Sequence, residues 1–345
     1  MNALIDKVMS RARLLGVPFS VHLDLTYRCN ERCRHCYLEH GAGSEMPAAQ
    51  IKNLLDELAE AGVFFLTLSG GEPFLRADLF EILEHARKLT FCVRLKTNAS
   101  LIGAAEADRI ASLGINEVHV SVYSGSPVVH DRLTLLPGSW QRTIDAVRLM
   151  RSRGQNVILV HIVTSLNAGD HHAVQALAGT LGTGFRIDAT IIPKLDGDRS
   201  TAALNVPHAE LVEIVGNPAY AGRVEEVCAP DSAALSEPLC AAAHNHCYIA
   251  PDGGVFPCVQ LPLLCGRIGP ERFLDIWRES APMKEVRAMR LGDLPVCSLC
   301  SHAASCWRCP GLALLEGDLR GPSALDCERS YARTGVAPTG WLRTG

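Results

Sequence analysis

The stretch "VHLDLTYRCNERCRHCYLEH", residues 21–40, runs from a short, largely apolar segment into three cysteines, Cys29, Cys33 and Cys36, spaced C-x3-C-x2-C. Clustered thiols in a reducing compartment indicate metal rather than disulfide staples. Three thiolates are one short of a closed four-ligand site, and an open position is what a metal centre keeps for a reactant. The leading "MNALIDKVMSRARLLGVPFS" is broken by Asp6, Lys7, Arg11 and Arg13, and no run of about 18 apolar residues follows. Neither a signal peptide nor a membrane span is expected, which makes the cytoplasm the expected location.

"VHLDL" is the first of six strand-like runs; "VFFLTLS", "FCVRLKT", "EVHVSV", "NVILVHIVT" and "FRIDATIIP" follow. Amphipathic stretches at 46–61, 78–89, 104–113, 140–153 and 172–181 separate them, and a last helix is expected from near Pro207. Strands that read as near-continuous apolar runs separated by helices predict an α/β fold with a parallel sheet and right-handed crossovers, open or rolled into a partial barrel. Reactive groups in such sheets gather at the C-terminal strand ends, and the three-cysteine loop follows the first strand.

The chain has 345 residues, 48% of them hydrophobic, and a formal net charge of -4. That suits about two folded domains and gives no basic footprint, so nucleic acid is not an expected partner. Past about residue 206 the rhythm stops, and loops rich in cysteine and proline run from 237 to 330. The expected plan is an N-terminal arm (1–20), a barrel (21–205), a bridging segment (206–236), a smaller cysteine-rich, cluster-binding C-terminal domain held by metal rather than by a large core (237–330), and a tail (331–345).

The triad, with His35 before its last cysteine and Tyr37 after it, resembles the signature of the radical S-adenosylmethionine enzymes. "SGGEP" at 69–73 is similar to that family's glycine-rich motif, and "KTNAS" and "VSVYS" fall where the family places cofactor contacts. The resemblance implies a partial (β/α)6 TIM-like barrel. Cys29, Cys33 and Cys36 would hold a 4Fe-4S cluster whose fourth iron chelates S-adenosylmethionine. Gly70, Gly71, Glu72, Pro73, His35, Tyr37, Asn98 and Ser121 would contact that cofactor, with Glu72 holding its amino group. The donor chemistry agrees, because thiolates are the preferred ligands of such cubes. A zinc knuckle using His35 or His40 is the competing reading.

Cys240, Gly253 and Cys258, then "CSLCSHAASCWRCP" and Cys327, resemble the SPASM extension of peptide-modifying radical enzymes, which houses two auxiliary 4Fe-4S clusters. The resemblance assigns Cys240, Cys247, Cys258 and Cys309 to one and Cys297, Cys300, Cys306 and Cys327 to the other. Cys306 and Cys309 are separated by two residues where the family has three, which leaves Cys228 and Cys265 as alternatives to Cys247. A zinc ribbon would place its two knuckles about 12 to 20 residues apart; here five separate Cys300 from Cys306. "IGPERFLDIWRES" is similar to the helix this extension sets between its cysteine groups.

Cys92 reads as a small buried hydrophobe. His171 and His172 lack ligand-spaced neighbours and read as solvated or capping. Arg28, Arg32 and Arg34 read equally as cluster-tuning groups or as a solvated loop face. His130 and Asp131 are expected in a structural turn before a helix starting at Ser139. Tyr123 stands where many relatives carry aspartate, so no catalytic acid is expected there. The expected activity is reductive cleavage of S-adenosylmethionine to a 5′-deoxyadenosyl radical that modifies a ribosomally made peptide or a protein side chain by crosslink, thioether or epimerisation. An electron donor of flavodoxin or ferredoxin type is implied. Only about 20 residues precede the barrel, so a leader-recognition protein is expected as a separate chain. Sulfatase-maturing and heme-pathway enzymes are rivals in the same class; a zinc-stabilised binding or regulatory protein is the rival from another.

Overall fold

The structure, a computed structural model, describes residues 3–339 apart from 40, 42, 195, 218–219, 221–226, 228 and 304. The alternative ligands His40 and Cys228 lie outside the described residues.

All six expected strands form: β1 (Ser20–Asp24), β2 (Phe65–Ser69), β3 (Cys92–Thr97), β4 (Glu117–Ser121), β5 (Val157–Ile162) and β6 (Gly184–Asp188). They pair in parallel in sequence order. The crossovers are α2 (Ala48–Glu60), α3 (Leu79–Lys88), α4 (Ala104–Ser112), α5 (Pro127–Thr134) with α6 (Ser139–Ser152), and α7 (His171–Leu181), preceded in the chain by α1 (Ala3–Leu15). Each crossover buries an apolar stripe, as α2 does with Ile51, Leu54, Leu55 and Leu58. The stripes meet Val21, Leu23, Leu66, Leu68, Val93, Leu95, Val118 and Val120 on one face of the sheet. Burying each such side chain stabilises the fold by about 1.5–3 kcal/mol. The alternate positions, His22, Asp24, Thr67, Arg94, Lys96, Glu117 and His119, fall in register on the other face and line the barrel's interior.

The segment around His130 is not the expected turn but the helix α5. Pro127 starts it, Leu135 ends it at φ +55°, and Asp131 then reaches forward to cap α6. Asp131 Oδ2 accepts from Gly138 N at 2.6 Å, and Oδ1 accepts from Trp140 N at 2.9 Å. That cap is why α6 begins at Ser139, as its sequence suggested.

Beyond the barrel come α8 (His208–Gly216), α9 (Ser232–Ser236), β7 (His246–Ile249), β8 (Gly254–Phe256), β9 (Gly266–Arg267), α10 (Phe273–Glu279), α11 (Ala281–Ala288), α12 (Pro310–Leu315) and α13 (Ala324–Thr334). β7 joins β1 in parallel, setting Cys247 beside Val21 and Ile249 beside Leu23, and β8 and β9 follow as antiparallel strands. The cysteine-rich region therefore continues the barrel sheet. Its α10 sends Phe273, Ile276 and Trp277 into the barrel's core, and Trp277 Nε1 donates to Gly16 O at 2.7 Å. Residues 242–286 of this region share the main core. No helix among the described residues is long and apolar enough to cross a membrane.

Candidate metal centre

The chain leaves β1 at Asp24 and must return beneath the ends of β2 and β3, and two glycines make that possible. A Cβ on Gly70, which sits at φ +134°, would lie 2.2 Å from Thr26 O; one on Gly71 would lie 2.3 Å from Arg28 O. Only glycine permits such approach. Gly71 N then donates to Thr26 O at 2.7 Å and Glu72 N to Arg28 O at 2.9 Å, locking the "SGGEP" turn onto the cysteine loop. From the other side, Arg32 N and Arg34 N donate to Thr134 O and Leu133 O at the end of α5, each at 3.0 Å.

Held this way, Cys29, Cys33 and Cys36 converge, each within electrostatic reach of another. Burial pushes the Cys29 thiol up to about 12 and Cys33 well above its ordinary value. Such thiols stay protonated until a cation displaces the protons. Glu31 N donates to Cys29 Sγ at 3.4 Å, and Asn98 Nδ2 approaches the same sulfur at 3.9 Å. Three soft donors with amide donors around them fit an iron-sulfur cube with one iron left free. The three arginines have other work: Arg28 grips Glu45 with two hydrogen bonds at 2.9 and 3.1 Å, Arg32 bonds the loop's own carbonyls, and Arg34 bonds Arg132 O.

Glu72 is fully buried, and its carboxylate accepts from Phe74 N (3.1 Å), Asn98 N (2.8 Å) and Thr97 Oγ1 (2.8 Å). It ties the end of β2 to the end of β3, so it has a packing role that a strand-end carboxylate did not suggest. Burial raises its pKa to about 7 against the opposing pull of those hydrogen bonds. Asn98 continues the chain of contacts: its Nδ2 donates to Asn30 Oδ1 at 2.9 Å, and its Oδ1 accepts from Ser100. His35 meets Tyr123 edge-on at 4.6 Å, and the Tyr123 hydroxyl is hydrogen-bonded to Ser121. Tyr37 is half-buried, with its phenol raised by burial and then by Asp24, Cys36 and, more weakly, Cys258.

Sequence reasoning missed three groups here. Glu31 is 2% exposed and accepts from Cys33 Sγ at 3.3 Å, and burial raises its pKa to about 7. Inside the barrel, Tyr248 donates to Asp24 Oδ2 at 2.9 Å and shares a 2.6 Å hydrogen bond with Tyr27, while His22 Nε2 lies 3.0 Å from Asp24 Oδ1. Lys96 shares this interior, its pKa lowered by burial against the pull of Asp24. The available signal was the period-2 placement of His22, Asp24, Arg94 and Lys96 within strands that are otherwise apolar.

In the cysteine-rich region, Cys297, Cys300, Cys306 and Cys327 line one cavity with Arg308 and Asp326. Ser323 caps α13, setting Cys327 in its first turn, and burial pushes Cys306 and Cys327 up to about 12. Cys240, Cys258 and Cys309 form a second group: the charges of the first two act on Cys309, whose Sγ lies 3.5 Å from Gln260 Oε1. Cys247 is fully buried on the core face of β7, and its neighbours are Cys265, Arg287 and Cys258. Cys92 is half-buried at the start of β3.

Residues 23–177 match the sequence profile of the Radical SAM superfamily, and residues 240–310 match that of SPASM, an iron-sulfur cluster-binding domain. The AdoMet-dependent heme synthase of Methanosarcina barkeri (strain Fusaro / DSM 804) is 25% identical over 326 residues, covering 86% of this chain and 92% of its own. The PqqA peptide cyclase of Xanthomonas campestris pv. campestris (strain B100) is 29% identical over 344 residues, covering 93% and 90%. Among solved structures, Streptococcus suis SuiB bound to precursor peptide SuiA shares the fold at a TM-score of 0.69 and 15% identity, over 91% of this chain and 77% of that one.

Proposed function

We propose, starting from a chain that belongs to the radical SAM superfamily and carries a SPASM domain, that this enzyme modifies a ribosomally synthesised peptide. Its cofactors are 4Fe-4S clusters and S-adenosylmethionine. In this reading Cys29, Cys33 and Cys36 hold the barrel cluster. Gly70, Gly71, Glu72, Pro73, His35, Tyr37, Asn98 and Ser121 surround S-adenosylmethionine at the strand ends. When bound, the cluster supplies the electron that splits the cofactor's carbon-sulfur bond and so delivers a carbon radical to the substrate. The protein's own part is to orient the reactants and keep water out. Asp24, Tyr248 and Tyr27 form a connected acid-hydroxyl chain in the barrel's interior, suited to holding a proton or a substrate amide there.

Cys240, Cys247, Cys258 and Cys309, and separately Cys297, Cys300, Cys306 and Cys327, would hold two auxiliary clusters that carry an electron to or from the substrate and a flavodoxin- or ferredoxin-type donor. The observation that carries the peptide reading is the 29% identity with a peptide cyclase over nearly the full length of both chains. A tetrapyrrole reading is favoured by the heme-pathway matches, among them the heme synthase at 25% identity. Anaerobic turnover with a candidate precursor peptide, followed by mass spectrometry, should give a peptide product. Turnover of a heme precursor, with the peptide left unmodified, refutes the proposal.

The same assay separates the two kinds of cluster. Replacing Cys297 and Cys300 by alanine should spare some 5′-deoxyadenosine formation and abolish product. Circular dichroism and residual iron establish that the region stays folded. Normal product formation with those irons gone would make the region a dock instead of an electron carrier.

A further inference from the structure

His171 and His172 open α7, and Glu213 lies on α8, 41 residues away from His172 in the chain. Neighbouring residues on a helix ordinarily diverge by about 100°, yet here both rings converge on one carboxylate. His172 Nε2 lies 3.2 Å from Glu213 Oε1, and His171 Nε2 lies 3.9 Å from the same atom. A nitrogen from each ring and a carboxylate oxygen all fall within 4.8 Å of one another. The ring centroids are 4.0 Å apart, tilted by 41°.

His171 supplies an independent observation. It is 1% exposed, and neither of its ring nitrogens has a hydrogen-bond partner among the described residues. Folded proteins rarely leave a buried polar atom unpartnered, and each case calls for an explanation such as an ion. Asp170 and Glu210 add negative charge within reach, and Glu210 itself is fixed by Gly169 N.

We propose that His171, His172 and Glu213 bind one divalent cation of the zinc class, each through a single atom, with water in the fourth position. Two imidazoles and one carboxylate are a recurring zinc donor set. Bonds of about 2.0–2.1 Å place tetrahedral ligand atoms about 3.3 Å apart, close to the 3.2 and 3.9 Å separations already present. The site works as a clasp. α8 packs on α13 through a small core in which Leu211, Ile214 and Val215 meet Ala332, and His208 stacks on Tyr331 at 4.5 Å. α13 carries Cys327. A cation joining α7 to α8 therefore fixes the strap between the barrel and a cysteine-bearing helix.

The test uses holoenzyme reconstituted anaerobically, so that its cysteines hold iron. The protein is titrated with Zn2+ by calorimetry, and zinc and iron are counted after gel filtration. One zinc per chain with micromolar or tighter affinity is expected. Glu213→Gln and His172→Asn should each weaken it at least about tenfold while iron stays unchanged. Both side chains are about three-fifths exposed (61% and 60%), so their replacement removes a ligand without unpacking the helices. The thermal midpoint should rise with added zinc in the wild type and not in the double variant. Absence of zinc binding in the wild type, equal binding in the double variant, or zinc gained only as iron is lost would each overturn the proposal.

Discussion

Replacing Gly71 by alanine should destroy the barrel cluster without touching any ligand. The new Cβ would lie 2.3 Å from Arg28 O, 2.8 Å from Arg28 C and 3.0 Å from Cys29 Cβ. Ordinary contacts of this kind begin above 3.0 Å, so the loop must retreat by roughly 1 Å, and both its backbone hydrogen bonds to the turn, Gly71 N to Thr26 O and Glu72 N to Arg28 O, stretch. Overpacking against rigid backbone costs about 1–3 kcal/mol, and two weakened hydrogen bonds add about 1 kcal/mol each. A local cost of about 3–5 kcal/mol falls on the residue preceding Cys29, and the thiol moves with it. Iron should fall from about twelve to about eight per chain, at four per cube, and S-adenosylmethionine cleavage should vanish while the C-terminal irons persist. Gly179→Ala is the control: it sits in α7 with nothing within 4 Å of its Cβ, and should stabilise by about 0.5–1 kcal/mol. Full iron and wild-type cleavage in Gly71→Ala would show that the loop yields freely, and the account of the two glycines would be wrong.

Glu72→Gln tests the buried carboxylate. Its pKa rises in the folded state from 4.5 to about 7, so between those values the folded chain binds more protons than the unfolded one, and wild-type stability declines as pH rises through that window. The glutamine variant lacks that slope. Its unfolding free energy in urea should gain on wild type between pH 4.5 and 7 by up to about 3 kcal/mol, and parallel curves would refute the assignment. Asp131→Ala removes the cap of α6 and should cost about 1–2 kcal/mol in chemical denaturation; a change within error would mean that α6 needs no cap. Cys247→Ala should remove about four irons, and Cys265→Ala should not. The reverse result would move the ligand role to Cys265, which lies beside it.

The six strands and their crossovers were legible because each element carries its own period over its own length. β7 to β9 were not, although "PDGG" at 251–254 is a turn signal and Gly253 sits at φ +85° in the structure. Four residues of β7, three of β8 and two of β9 are too short to show alternation, and their pairing with β1 is set by the barrel's open edge. α5 was hidden for a related reason. It has eight residues, begins at a proline, and carries adjacent β-branched Val128 and Val129 that argue against a helix. Glu72 and Glu213 show the other limit. Each acts on residues at least 25 positions distant, and only the fold brings those residues together.

The choice between an open sheet and a barrel was nevertheless present in the strands. An open doubly wound sheet is covered by helices on both faces, so its strands read as continuous apolar runs. Here His22 and Asp24 alternate with Val21 and Leu23, Arg94 and Lys96 with Val93 and Leu95, and Glu117 and His119 with Val118 and Val120. The register sets these polar positions side by side on one face. Charged residues on a face covered by helices would be stranded without water or partners. One polar face therefore requires that face to stay open, and a parallel sheet satisfies this by curling around it. The ends of β1, β2 and β3 lie side by side for a separate reason, since these strands are direct parallel neighbours, and Gly70 and Gly71 then let the loop after β1 pack onto the turn after β2.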